Sequence, residues 1–204
     1  MNYPKTNYVV FDFETTGFSP AENEVIQISA MKVTHGKDGI ENEPEMFDTF
    51  VSIKSEIPTE IENLTGITNE MLKFDKGALK PENAWTMFSD FIGDTMPLIG
   101  HNSINFDRKF LIEAFQLYHL PLPDQDRYID TAMMYKAKKL GIMQPSNQSH
   151  FNWCLEISDI RAYGVKFNLS VTCEELNVNT DNLTAHRADS DVIMTNEVYK
   201  KLIN

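Results

Sequence analysis

The chain has 204 residues, 42% of them hydrophobic, with 13 phenylalanines and a formal net charge of −12, which suits one large domain with a packed core. An acidic balance of that size, with no basic cluster denser than Lys136–Lys139, argues against a chain that grips long duplex nucleic acid unaided, because such binding takes many contacts from basic residues to phosphates. No apolar run approaches the roughly 18 residues of a membrane span and no basic-then-apolar leader opens the chain, while two cysteines, Cys154 and Cys173, point to a reducing, cytoplasmic setting without disulfides.

The first predicted strand, Tyr8–Phe13, lies in the stretch NYVVFDFETTG. Side chains alternate across a strand, so Asp12 and Glu14 share a face with Tyr8 and Val10, while Val9, Phe11 and Phe13 point the other way. Two carboxylates held together at the end of an apolar strand repel each other unless something positive sits between them. A solvated strand end is the plain reading; a hard divalent cation, which takes oxygen ligands, is the sharper one.

Glu24–Val33 and Met46–Val51 read as a second and third strand, and their short connections favour an antiparallel meander. Pro58 can start a short helix at Thr59 that Gly66 ends, with Glu60 and Thr65 at its two ends. Pro81–Ile92 is an amphipathic helix whose Trp85 and Phe88 face the core. Met96–Gly100 reads as a short strand, His101–Asn102 as a loop, and Asp107–Tyr118 as a helix with Asp107 in its first turn, where an acid is ordinarily stabilising. A fifth strand at Arg127–Asp130 and a helix at Thr131–Lys139 follow. Leu140–Lys166 lacks periodicity at its start and then offers a possible helix around Trp153. Leu169–Leu176 reads as a short helix capped by Ser170. The closing helix, Ala188–Leu202, places Asp191 on its inner stripe beside Ala188 and Val192, where a carboxylate is costly unless paired or bound to metal. His186 stands at that helix's entry. Three strands and then alternation of helix and strand imply a mixed α/β sheet with helices on its faces.

Three motifs in this order resemble the DEDDh exonucleases, the family of the proofreading subunit of bacterial replicative DNA polymerase. The first is Asp12-Phe13-Glu14-Thr15-Thr16-Gly17, the second His101-Asn102-Ser103-Ile104-Asn105-Phe106-Asp107, and the third His186-Arg187-Ala188-Asp189-Ser190-Asp191. Leu64-Thr65-Gly66-Ile67-Thr68 and Ile129-Asp130-Thr131 are similar to weaker family marks. The second motif is one residue longer than the commoner spacing, and Leu140–Lys166 looks like an insertion.

The resemblance implies a ribonuclease H-like fold over a single domain, residues 1–204, with the insertion at about 140–166. It implies a 3′→5′ exonuclease that uses two ions, Mg²⁺ or Mn²⁺, held by Asp12, Glu14, Asp107 and Asp191, with His186 as general base. Thr15, Thr16 and Gly17 would offer backbone amides at a 3′-terminal nucleotide, and Phe18 and Phe106 would stack on bases. Glu60, Thr65 and Asn102 would also stand near that nucleotide. The implied partners are single-stranded 3′ ends, DNA before RNA, and a polymerase that presents them, with no membrane. An enzyme degrading RNA or short oligonucleotides, and a binding module that has lost catalysis, are the alternatives.

Overall fold

The computed structural model describes residues 3–5 and 7–204; the reading of the N-terminus as leaderless rests partly on Met1 and Asn2, which lie outside the described residues. Five strands form one sheet in the order β3-β2-β1-β4-β5. They are β1 (Tyr8–Thr15), β2 (Val25–Val33), β3 (Glu45–Phe50), β4 (Leu98–Gly100) and β5 (Tyr128–Asp130). The first three pair antiparallel, while β4 runs parallel to β1 and β5 parallel to β4. Short links can only return a strand antiparallel, and the parallel pairs need helical crossovers. Those crossovers carry α1 (Thr59–Thr65) and α2 (Pro81–Ile92) before β4, and α3 (Asp107–Leu117) before β5. Then come α4 (Thr131–Leu140), α5 (His150–Asp159), α6 (Leu169–Glu175) and α7 (Ala188–Ile203).

The central strand β1 faces a different layer on each side, as its alternation requires. On one side Phe11 and Phe13 pack against Phe88, and Phe13 meets Trp85 edge-on at 5.1 Å between ring centroids. Phe115 of α3 joins the same aromatic cluster. On the other side Tyr8 packs edge-on against Tyr199 of α7 and donates its hydroxyl to Asn196 Oδ1 at 2.9 Å. Asp12 and Glu14 therefore point toward the α7 side. No helix among the described residues is long and apolar enough to cross a membrane.

One sequence expectation needs correction. The cap of α6 is Asn168, whose side chain accepts the Val171 N–H, and Ser170 falls inside the first turn. The possible helix around Trp153 is present as α5, which starts at the Ser149 cap and buries Phe151, Trp153, Cys154 and Ile157 while Asn152, Leu155, Glu156 and Asp159 face solvent. The stretch before it has no periodicity because it is loop from Gly141 to the Ser149 cap.

Candidate active site

Each acid of the site is delivered by a different feature of the chain. Asp12 and Glu14 stand two residues apart near the end of β1, just before a register shift at Glu14–Thr15; such an irregularity re-aims the side chains beside it. Asp191 comes from the first turn of α7. Oxygens of Asp12, Glu14 and Asp191 all lie within 4.8 Å of one another. Asp107, buried in the first turn of α3, reaches the same strand from its other side: its Oδ1 accepts the Phe13 N–H at 3.1 Å. The four carboxylates that the motifs singled out are thus brought together.

Packing them this way is electrostatically expensive. Burial pushes Asp12 well above the usual carboxylate range, and Asp107, Asp191 and Glu14 push it further. Burial, then Asp191 and Asp107, carry Glu14 up to about 8 against the opposing pull of Arg187. Burial lifts Asp107 to about 7 even though it accepts backbone N–H groups, and lifts Asp191 to about 7 although the His186 N–H holds it down. One oxygen of Asp191 is buried without a hydrogen-bond partner. An unsatisfied buried oxygen among mutually repelling acids is what a divalent cation with oxygen ligands would satisfy. The donor set fits such a group.

His186 is exposed, with φ +61°, two residues before α7. Its backbone N–H reaches the Asp191 carboxylate, and it is not among the three residues that share the ligand-sized space. Phe18, 87% exposed, meets Phe106 edge-on at 6.3 Å. Two adjoining aromatic rings at the rim, one almost wholly in solvent, form a surface on which a planar base can stack.

The other expected contacts divide. Thr15 and Thr16 are buried, and their hydroxyls serve the turn: Thr15 donates to the Gly17 carbonyl at 2.6 Å and Thr16 accepts the Glu24 N–H. The Thr16 N–H is also spent, on the Glu24 carbonyl, so it is not an amide left for a nucleotide. A Cβ at Gly17 would sit 2.6 Å from the Asn23 side chain and push aside the amide that accepts the Ser19 N–H. Glu60 is exposed on α1. Thr65 instead turns inward, donating to the Ile61 carbonyl and accepting the Ile67 N–H, so its hydroxyl shapes the α1 turn. Asn102 is exposed at φ +62°, a left-handed conformation that asparagine tolerates. The added residue of the second motif is absorbed in a tight turn after it, where Asn105 and Phe106 N–H groups both return to the Asn102 carbonyl.

Asp130 was legible only as a family mark, and the structure gives it a larger part. Its fully buried carboxylate accepts four backbone N–H groups, from Asn102 and Ile104 of the second motif and from Ala132 and Met133 at the start of α4. An Asp immediately before a predicted helix is the signal that could have found it. Behind it the Asp130 N–H donates to His150 Nε2 of α5 at 3.1 Å, so the insertion buttresses the loop that leads to Asp107.

Comparison with known proteins agrees with this geometry. The exonuclease family model of the RNase T type matches residues 9–199. DNA polymerase III PolC-type of Mycoplasma genitalium is 29% identical over 192 residues, 94% of this chain and 11% of that protein. The PolC-type protein of Ureaplasma parvum serovar 3 is 27% identical over 203 residues, 100% of this chain and 12% of its own length. The chain therefore spans about a tenth of the length of these relatives. Among solved structures, E. coli exonuclease I in complex with a dA16 oligonucleotide superposes with a TM-score of 0.68 at 19% identity, covering 98% of this chain and 41% of that one. Its zinc-bound complex with single-stranded DNA gives 0.67 at 18% identity, covering 98% and 40%. The mixed five-stranded sheet is a ribonuclease H-like fold, and with a family match over most of its length and the acids of all three motifs gathered on one sheet edge, the chain belongs to the DEDDh 3′→5′ exonuclease family.

Proposed function

We propose that this chain hydrolyses DNA from its 3′ end, releasing nucleoside monophosphates with the aid of two divalent ions, Mg²⁺ or Mn²⁺. The single observation that carries this is the meeting of Asp12, Glu14 and Asp191 oxygens within 4.8 Å, with Asp107 hydrogen-bonded to the same strand at Phe13. Asp12, Glu14 and Asp191 would hold one ion, and Asp12 with Asp107 the other. Bound there, the ions would polarise the scissile phosphate and make a water nucleophilic near neutral pH.

The remaining work falls to the chain. His186, exposed and joined by its backbone N–H to Asp191, takes the proton of the attacking water on its imidazole, as histidine commonly does in acid–base catalysis. Phe18 and Phe106 hold the terminal base by stacking, Gly17 allows the sugar-phosphate backbone to come close, and Glu60 and Asn102 border the same opening. Thr15, Thr16 and Thr65 contribute the shape of the turns around that opening. The acidic surface favours a short single strand, or one presented by a polymerase, over long duplex; the PolC-type relatives are consistent with that setting. Residues 1–204 act as one exonuclease domain in the reducing cytoplasm, where the buried, unpaired Cys154 and Cys173 stay as thiols.

Matched 5′-labelled single strands of DNA and RNA, digested beside a circular DNA strand, test the reading. The expected result is a descending ladder on linear DNA, slower loss of RNA and an intact circle. Faster loss of RNA would transfer the assignment to an exoribonuclease, and nicking of the circle would replace exonuclease with endonuclease.

A further inference from the structure

Gln27 is a fully buried polar residue in the middle of β2, and burying an amide is costly unless its groups are bonded. It sits directly across from Glu14, as Ser29 sits across from Asp12. Its Nε2 donates to Asp48 Oδ1 on β3 at 2.8 Å, and its Oε1 accepts the Ala188 N–H at 3.3 Å. Ser29 Oγ donates to the same Asp48 oxygen. Ala188 is the first residue of α7, and the helix has Arg187 at its N-cap with no side-chain cap of its own. First-turn N–H groups need an acceptor from somewhere, and a helix start left without one is destabilised.

From these contacts we infer that Gln27 is a positioning residue for the proposed hydrolysis: anchored by Asp48, it caps α7 from the neighbouring strand and sets where His186 and Asp191 stand relative to Asp12 and Glu14. The strand paired with the acid-bearing β1 and the start of the helix that carries Asp191 and follows His186 are joined at this amide. The side chain meets no substrate; it acts through the helix start. Asp48, exposed on the outer strand β3, fixes which way the amide points, since only its carboxylate orientation leaves Oε1 toward Ala188.

The inference deepens the proposed function and rests on it for its kinetic arm, so a second arm is independent of catalysis. Gln27→Met keeps volume and removes both hydrogen bonds. It should speed amide exchange at Ala188, weaken Mn²⁺ binding measured by calorimetry, and lower kcat roughly 10–100-fold with KM for a 3′ end little changed, the scale expected when reacting groups are misplaced by about an ångström. Asp48→Ala should shift all three in the same direction but less, and Q27M/D48A should be no worse than Gln27→Met, because the two residues work as one chain of bonds. Should Gln27→Met fail to fold, Asp48→Ala at the exposed edge still decides. Full kcat in the folded fraction, with unchanged Ala188 exchange and a lower melting temperature only, would overturn the inference and leave Gln27 as packing. If the wild type digests no 3′ end at all, the exonuclease reading falls, while exchange and Mn²⁺ affinity still judge Gln27.

Discussion

At the scale of single residues, His186 and Asp191 are where the proposed roles of general base and metal ligand can be told apart. His186 holds φ +61°, a conformation in which asparagine is at ease and alanine is not, so His186→Asn removes the base with less strain than His186→Ala. The expected outcome is a loss of roughly 10²–10⁴-fold in kcat, the usual worth of a positioned acid–base group, with Mn²⁺ affinity near the wild-type value. Asp191→Asn should lose Mn²⁺ affinity as well, which calorimetric titration of the two variants side by side will read. Equal loss of metal affinity in both would make His186 a ligand instead. Asp107, an ordinary acid for a helix start, stood out only through the family resemblance. The candidate acids Asp12, Glu14 and Asp191 were legible as types and spacings, two acids two apart on an apolar strand and one on the inner stripe of the last helix. The threonines were not, because the sequence places them in the first motif and in the α1 turn but cannot say that Thr15, Thr16 and Thr65 spend their hydroxyls on backbone groups nearby.

Among elements, the buttress behind the second motif is the feature that pattern reading reached least. Strand and helix periodicity marked all five strands and six of the helices within a few residues, since each has one buried face, and α5 only as a possible helix around Trp153. The tie of α5 to Asp130 joins residues 20 apart through His150, a link that no local pattern carries. Burial holds His150 down to about 4, which keeps its Nε2 free to accept. Asp130→Ala removes the α4 cap and the two N–H acceptors of the Asn102–Ile104 turn together. A loss of about 2–4 kcal/mol in denaturant unfolding is expected, since a cap is worth about 1 kcal/mol and the stranded, buried Ile104 N–H about 1–3, while the N–H of exposed Asn102 can turn to water. Asp130→Asn, which retains one acceptor oxygen, should fall between. An unfolding midpoint unchanged in Asp130→Ala would remove the buttress role.

For the whole molecule, the convergence of the three motifs is what the fold adds to the sequence, since spacing gives their order but not their meeting. The sheet order brings β1 between β2 and β4, and Asp107 from α3 and Asp191 from α7 both reach the end of β1. Burial first, and neighbouring acids after it, raise the folded pKa values of these groups above their unfolded ones, so below about pH 4 both states are protonated and the cluster costs little. Between about pH 4 and pH 8, the window that the shifts of Glu14, Asp107 and Asp191 define, the native state holds protons that the unfolded chain has released, and stability falls as pH rises. Metal-free protein should accordingly melt lower at pH 8 than at pH 5. Metal-free Asp12→Asn, with one charge fewer in the cluster, should exceed the wild type at pH 8 and approach it at pH 5. Adding Mn²⁺ should reverse that ranking at pH 8 by mass action on the native state, and scanning calorimetry of both proteins with and without metal checks it. The most direct measurement is turnover of a 5′-labelled single strand by the wild type in Mn²⁺ and in excess EDTA, with Asp12→Asn alongside. A ladder of shortened strands in Mn²⁺, gone in EDTA and absent from the folded variant, is expected; undiminished shortening in EDTA, or by Asp12→Asn, would contradict the assignment of this acid cluster as a metal-dependent nuclease site.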